Sequence, residues 1–288
     1  MIIVQFSGGL GNQLGQYGLY SEYKARGFKT YADLSWYRKG QTDDGKIDIR
    51  DIEISRLGLS VDECPKMFEY FGGNPGLRRY IRRICVGHTY LEEGYKFTPA
   101  LLDVKKGYVT GGSFIGDEYI PTCSDELRRS IKFAGTDSDY IKKMEHKILQ
   151  TNSVSIHVRL GDYLNNNSLY GGICTPEYYK KAVSLIKKKA PDATFFLFSN
   201  DVSAAAEMLG IKDIVPVAEN TGDKSYLDMY LMSKCKHNII ANSTFSWWGA
   251  WLNENEDKTV CCPTTLLNGY DNGSVYCKEW IRVSSQDT

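Results

Sequence analysis

The sequence predicts an α/β protein made of two Rossmann-like halves with parallel sheets. A strand, glycine loop, helix and second strand open the chain, strands and helices alternate cleanly from Ser153 onward, and 42% of the 288 residues are hydrophobic. With one such unit at each end and a seam near residue 151, we expect domains over 1–150 and 151–288, with a cleft between them.

The first half is well patterned only at its start. Ile2–Phe6 reads as a buried strand and is followed by a glycine loop, a helix that ends at Gly27, and a second strand over Lys29–Leu34. The pattern is weak between residues 40 and 112, where we predict only a helix through Gly76–Arg83.

The second half follows a lysine-rich helix predicted over Tyr140–Gln150. Its predicted strands are Val154–Arg159, Thr194–Ser199, Ile214–Val217, Asn238–Asn242 and Thr259–Cys262. Its predicted helices are Pro176–Ala190, Val202–Leu209, Ser225–Lys236 and Thr244–Glu254.

Composition excludes several classes of protein. Thirty-five basic and thirty-five acidic residues cancel, so no net field attracts nucleic acid. No window reaches the roughly 18 apolar residues of a spanning helix, and no signal peptide precedes the first strand, which predicts a cytoplasmic protein. The eight cysteines form no CxxC pair and suit reduced thiols, and we expect no bound metal.

The first candidate site is the loop containing Gly9, Gly11 and Asn12. Glycines at a strand end let the backbone approach a ligand, and the helix amides that follow favour an anion. A tight turn without a ligand explains the same residues. Leu14 stands where a dinucleotide fingerprint needs its third glycine, which argues against an NAD-dependent oxidoreductase.

The stretch Ser155–Tyr163, SIHVRLGDY, is the second candidate. Alternation along a strand sends His157 and Arg159 to the same face, at the edge where parallel sheets bind ligands. A guanidinium is a permanent charge matched to phosphate oxygens. The alternative is structural: Arg159 with Asp162 as an ion pair, and His157 as a core histidine.

Two further candidates lie near the next strand. Asn242, Ser243, Thr244, Phe245 and Ser246 join a buried strand to an aromatic helix, where a phosphate or ordinary N-capping explains the polar residues. Asp228 can accept both donors of a guanine edge, or form a capping box with Ser225. We expect the tryptophans of this helix to be core.

Two charged motifs favour structural interpretations. Asp137-Ser138-Asp139 precedes a helix, so capping explains it better than metal binding. The cluster of Arg78, Arg79, Arg82 and Arg83 is typical of a solvated helix face, although it could also hold an anionic lipid-linked substrate or a membrane surface.

Together, GGLGNQLGQY, HVRLGDY, FSND and CKHNIIANSTFSWWGAWLN closely resemble the α-1,2-fucosyltransferases of glycosyltransferase family 11, in order and separation over most of the chain. The resemblance implies a GT-B architecture and metal-independent, inverting transfer of L-fucose from GDP-β-L-fucose, typically to the 2-hydroxyl of galactose. It further implies bacterial polysaccharide synthesis, an N-terminal acceptor side and a C-terminal donor side. Peripheral contact with a lipid-linked glycan fits the same role.

The resemblance also assigns roles to residues. It implies that Arg159 contacts the β-phosphate, that His157 and Asp228 bind guanine, that Ser243–Ser246 bind phosphate, and that Asn12 lies near the reacting groups. Because the acceptor hydroxyl must lose a proton, Asp162 is the candidate general base, whereas late proton loss to phosphate or water would need no dedicated base.

Two positions depart from the family pattern: Leu160 replaces a second arginine, and Asn200 an aspartate. They keep open a non-catalytic module that binds a nucleotide sugar.

Overall fold

The structure, a computed structural model, divides into two compact units, Met1–Lys132 and Phe133–Thr288. It describes residues 1–39, 41–43, 46–48, 51–71, 75–93, 95–160, 167–270 and 272–285. The division falls earlier than the expected seam near residue 151. The helix before that seam belongs to the second unit because Glu145 accepts a hydrogen bond from the Tyr230 hydroxyl at 2.6 Å.

The first unit is organised around a four-stranded parallel sheet of order β2-β1-β6-β5. Its strands are β1 (Ile2–Gln5), β2 (Thr30–Asp33), β5 (Thr89–Leu91) and β6 (Gly107–Thr110), and a separate antiparallel pair joins β3 (Gln41–Asp43) to β4 (Lys46–Asp48). Its helices are α1 (Leu10–Ala25), α2 (Ser35–Lys39), α3 (Pro75–Cys85) and α4 (Ser124–Ser130).

The second unit contains a six-stranded parallel sheet of order β12-β11-β10-β7-β8-β9. Its strands are β7 (Ser153–Val158), β8 (Thr194–Ser199), β9 (Val215–Val217), β10 (His237–Ile239), β11 (Val260–Pro263) and β12 (Ile281–Val283). From β7 the chain adds β8 and β9 on one side, then crosses to add β10, β11 and β12 on the other. This is the strand order of a dinucleotide-binding sheet.

The helices of the second unit connect these strands. They are α5 (Asp139–Leu149), α6 (Asn167–Tyr170), α7 (Pro176–Lys189), α8 (Val202–Leu209), α9 (Tyr226–Lys234) and α10 (Thr244–Trp251). Val154, Ile156 and Val158 pack into one buried apolar cluster with Tyr178, Ile186 and residues of β8. The predicted α/β class with two Rossmann-like units is therefore confirmed.

Candidate active site

The strand order of the second unit marks one place for a ligand. The chain reverses its direction of growth between β7 and β10, and open parallel sheets bind ligands beyond the carboxyl ends of the strands at such a point. His157 lies near the end of β7, Arg159 directly follows that strand, and Asn242–Ser246 follow β10. The structure thus brings together two groups of predicted residues that lie about eighty positions apart in the sequence.

The alternation predicted along β7 is confirmed. Ile156 and Val158 are buried in the apolar cluster, whereas Ser155 on the opposite face accepts a 2.7 Å hydrogen bond from the Asn238 amide of β10. His157 therefore points away from the aliphatic core. Its backbone carbonyl is held by the Tyr179 hydroxyl at 3.0 Å, which fixes the strand end.

The His157 imidazole is buried and neutral. It is 5% exposed, and burial first, then the neighbouring Arg159 charge, lowers its pKa to about 3. Its Nδ1 has no hydrogen-bond partner within the described part of the chain. Because buried polar atoms are nearly always satisfied, this nitrogen indicates a group that a bound ligand would complete.

Arg159 follows directly, half-buried just beyond the end of β7. The backbone of the next residue, Leu160, is held from two sides by Asn200 at the end of β8. The Asn200 Oδ1 accepts from the Leu160 N–H at 2.9 Å, and its Nδ2 donates to the Leu160 carbonyl at 3.1 Å. This two-point contact positions the backbone next to Arg159. In the sequence, Leu160 and Asn200 were visible only as departures from the family pattern. Their contact was not predictable, because a contact between two strand ends leaves no signal in the sequence.

The turn from β10 into α10 presents a helix N-terminus to the same edge. Ser243 is the N-cap, but its side chain makes no capping hydrogen bond, so the capping alternative does not hold for it. Amides in a first helical turn are anion donors when no side chain caps them. The Phe245 ring lies 5.8 Å from the His157 ring, measured between centroids, which joins the two segments.

Two other residues of this turn are tied into the protein. The Asn242 Nδ2 donates to the carbonyls of Tyr170 and Leu266, both at 3.2 Å. The Ser246 hydroxyl, fully buried, donates to the Ala241 and Ser243 carbonyls. These contacts hold the turn in shape, and Thr244 and Phe245, which follow the buried Ser243, are half-buried. The tryptophans of α10 are core, as predicted.

Asp228 lies in the first turn of α9, and α9 begins at the carboxyl edge because it connects parallel strands β9 and β10. The capping box with Ser225 does not form, since the Ser225 side chain makes no cap bond. The carboxylate instead accepts from the Asn220 amide at 2.8 Å. Burial raises the Asp228 pKa to about 7, against the opposing effect of that hydrogen bond.

The glycine loop lies at the equivalent position in the first unit, after β1 and next to β6. Gly8 has φ +74°, and a Cβ there would come within 2.6 Å of the Asn12 amide nitrogen. Gly9 is the N-cap of α1, Gly11 is buried and Asn12 is half-buried in the first turn. The loop is a tight turn, an arrangement that also suits backbone approach to a ligand.

Two buried glutamines that the sequence analysis missed hold this loop. The Gln13 amide donates to the Gly8 and Asp51 carbonyls, both at 3.0 Å, and accepts from the Glu53 N–H at 2.7 Å. The Gln16 amide accepts from the Ser7 N–H at 2.9 Å and donates to the Gly112 carbonyl at 3.0 Å. The signal available in the sequence was the pair of glutamines that follow the loop glycines in GNQLGQ, on a helix predicted to be packed against the sheet.

The remaining predictions have separate outcomes. Asp162 lies outside the described residues. Ser138 caps α5 by accepting from the Ile141 N–H at 3.4 Å, so the capping interpretation of Asp137-Ser138-Asp139 is confirmed. Over the described ranges, no group of three or more acidic, histidine or cysteine side chains is arranged to hold a metal, and no helix has the length and apolarity to cross a bilayer.

The arginine cluster differs from a solvated face. Arg82 is buried, with its guanidinium carbon 4.8 Å from the Tyr70 ring centroid and 4.5 Å from that of Tyr108. Arg78 donates to the Lys66 carbonyl at 2.8 Å, whereas Arg79 and Arg83 are exposed. The prediction of a solvated face is therefore wrong for Arg82, because stacking on two aromatic rings stabilises its burial.

Comparison with known proteins places the chain in a family. The profile of Glycosyl transferase family 11 matches residues 89–284. The chain is 30% identical to the O-antigen biosynthesis glycosyltransferase WbnK of Escherichia coli, over 96% of this chain and 98% of that protein. It is also 30% identical to an alpha-1,2-colitosyltransferase of Escherichia coli, over 98% and 99%.

A solved structure agrees at the level of fold. A mutant of Arabidopsis thaliana FUT1 in complex with GDP superposes with a TM-score of 0.50 at 11% identity, over 90% of this chain and 69% of that one. The expected GT-B class, with a parallel-sheet Rossmann-like unit in each half, is confirmed. By its profile match and by full-length similarity, this chain is a glycosyltransferase and belongs to glycosyltransferase family 11.

Proposed function

We propose that the protein transfers L-fucose from GDP-β-L-fucose to a sugar hydroxyl, with inversion, and that the acceptor is the 2-hydroxyl of a galactose residue. The observation that supports this most is that Arg159, the His157 Nδ1 and the α10 N-terminus lie at the switch point of the second sheet. Among the described residues, that Nδ1 has no hydrogen-bond partner. Family membership favours a sugar nucleotide as the ligand for that place.

The donor diphosphate fits the positive groups of this edge. Cleavage of the bond between fucose C1 and phosphate builds negative charge on the departing GDP and positive character on the sugar. Arg159 is positioned before the reaction, so it can stabilise that charge without reorganising. Amides of Thr244, Phe245 and Ser246 would hold the phosphate oxygens.

The guanine of the donor fits two further groups of this site, Asp228 and His157. An ionised Asp228 can accept from N1–H and the 2-amino group of guanine, a paired contact that other bases do not offer. The neutral His157 imidazole, with its pKa lowered to about 3, stays uncharged beside Arg159 and contributes to seating the nucleoside. The arrangement thus separates recognition of the base from charge stabilisation at the phosphate.

The acceptor hydroxyl must lose a proton as the new bond forms. We propose Asp162 as the carboxylate that takes it, three residues beyond Arg159 in the sequence. We also propose that Gly9, Gly11 and Asn12 of the first unit bind the donor, with Asn12 near the reacting groups. Bacterial relatives of full length favour surface polysaccharide synthesis in the cytoplasm as the setting.

The proposal is tested by incubating the protein with GDP-fucose and a panel of β-galactosides. Mass spectrometry detects a fucosylated product, and NMR of that product reads the linkage and anomeric configuration. We expect an α-1,2-linked fucose, without added metal and in the presence of EDTA. Since one relative is a colitosyltransferase, a colitosyl donor belongs in the same panel.

Three outcomes are informative. A different linkage would leave fucosyl transfer intact and overturn the galactose 2-hydroxyl. Transfer from the colitosyl donor alone would overturn fucose as the donor sugar. Tight GDP-fucose binding without any product would instead favour the non-catalytic module.

A further inference from the structure

Helix α3 differs from an ordinary surface helix because a charged side faces the protein and an apolar side faces solvent. Its sequence PGLRRYIRRIC contains four arginines and no acidic residue. The side facing the protein carries Arg82, which is buried between Tyr70 and Tyr108, and Arg78, whose Nη1 lies 3.6 Å from Glu69 Oε2. The polar side of this helix is therefore the one that packs on the first unit.

The opposite side exposes large apolar groups. Leu77, Tyr80 and Ile84 are 58%, 65% and 59% exposed. At about 100° per residue they form one continuous strip, because positions i, i+3 and i+7 share a helix face. Arg79 and Arg83, both exposed, follow one edge of that strip. We call these five residues the outer face of α3.

Such a surface calls for a partner that is both apolar and anionic. Surface helices normally bury their apolar stripe and leave the charged residues in water, and isolated exposed leucines carry no meaning. Here three large apolar side chains are contiguous, and the exposed charged residues of α3 beside them are both arginines. This combination is typical of helices that lie in a membrane interface, with apolar groups in the acyl boundary and arginines at lipid phosphates.

We propose that the outer face of α3 docks the protein on an anionic lipid bilayer. Leu77, Tyr80 and Ile84 insert below the headgroups, and Arg79 and Arg83 contact lipid phosphates. The helix has 11 residues, so it lies along the surface and does not span the bilayer. This surface goes beyond the proposed transferase activity and does not depend on it.

Vesicle co-sedimentation tests the proposal without any sugar nucleotide. We expect the protein to sediment with vesicles of phosphatidylcholine and phosphatidylglycerol in equal parts, not with phosphatidylcholine alone, and less as salt increases. The triple variant Leu77→Ser, Tyr80→Ser, Ile84→Ser should lose binding to the anionic vesicles. Arg79→Gln with Arg83→Gln should weaken binding about twenty-five-fold, since each arginine contributes a factor of about five.

The matched control is Leu149→Ser, which removes a 56% exposed leucine from α5 and should bind like the parent protein. All substituted side chains are exposed, so thermal unfolding should be unchanged and a folding defect is detectable. The proposal is overturned if the parent protein ignores anionic vesicles, or if the triple variant binds as well as the parent. It is also overturned if the triple substitution dissociates a dimer while vesicle binding stays absent, which would assign the face to a second copy of the chain.

Discussion

The two strand-to-helix turns of this protein are built alike but differ in how their polar groups are satisfied. In the first unit, buried Gln13 and Gln16 supply the turn after β1 with hydrogen bonds from its own chain. In the second unit, His157 Nδ1 lacks a partner among the described residues, Ser243 makes no cap bond, and Asp228 has a pKa raised to about 7. The first arrangement is what a scaffold needs. The second arrangement leaves polar groups to which a ligand can hydrogen-bond.

The largest expected effect follows from removing the cation of the second unit. Arg159→Ala should lower kcat/KM for transfer by about 10³, since a preorganised donor to developing charge contributes about 2.7 to 4 kcal/mol. Steady-state kinetics at varied GDP-fucose measures it. Arg129→Ala, an exposed arginine of α4, is the control and should match the parent. Activity of the folded Arg159 variant within about fivefold of the parent would refute the role.

Damage to the scaffold turn should appear as lost stability instead. Gln13→Leu removes the bonds to the Asp51 carbonyl and the Glu53 N–H, and one of the two bonds to the Gly8 carbonyl, which keeps the Tyr37 hydroxyl. It should lower the free energy of unfolding by about 3 kcal/mol. Urea unfolding provides the measurement, with exposed Gln150→Leu as control. An unchanged free energy of unfolding in the Gln13 variant would contradict this structural role.

Asp228→Asn should separate donor recognition from stability. We expect the KM for GDP-fucose to rise about thirtyfold with little change in kcat, because an amide cannot accept both guanine donors. In the parent protein the KM should also rise as pH falls below about 7, since protonation removes the accepting charge. The variant should lose that pH dependence. A variant that still prefers GDP over inosine diphosphate as strongly as the parent would contradict this role.

The same substitution has the opposite effect on folding. The Asp228 pKa is raised to about 7 in the folded protein, whereas unfolded aspartate titrates near about 4. The contribution of Asp228 to the free energy of unfolding is therefore fully present below about pH 4 and is lost as pH rises from about 4 to about 7. In that window the carboxyl ionises freely only in the unfolded state. Asp228→Asn should be more stable than the parent at pH 8 and equal to it at pH 4, measured by denaturant unfolding at both pH values.

The smallest effect concerns the backbone next to Arg159. Asn200→Ala removes both bonds to Leu160 and should lower kcat about fivefold, with KM for the donor unchanged. Asn200→Asp keeps the acceptor for the Leu160 N–H and should fall between the two. Since Asn200 is exposed, unfolding should not change. Equal kcat in all three proteins would remove the positioning role.

Strong local patterns made much of the second unit predictable. The bounds of β8 and α8 coincide with the predictions, and most other elements of that unit differ by one to three residues. In the first unit β5 and β6 were missed, because three or four residues are too short to show a period. β12 was missed for the same reason.

What the sequence could not supply is the pairing of distant segments. The order of strands that places β7 beside β10, the Asn200 contact with Leu160, and the burial of Arg82 between two tyrosines all depend on tertiary contacts. Residue types at the site were predictable because their chemistry is readable in the chain. Their relations were not, because each arises from residues tens of positions apart.

The cysteines have a practical consequence for labelling. None of the eight cysteines forms a disulfide, and all lie within the described residues. Of the eight, only Cys85, at the end of α3, is exposed, while Cys174 is half-buried and the others are buried. Burial raises the pKa to about 12 for Cys64, Cys123, Cys174, Cys261 and Cys262. Because the thiolate is the nucleophile, a maleimide should react with this chain as though it had a single cysteine. The unmutated protein thus offers one attachment site for a fluorophore, Cys85, and a dye there would report on the surroundings of α3.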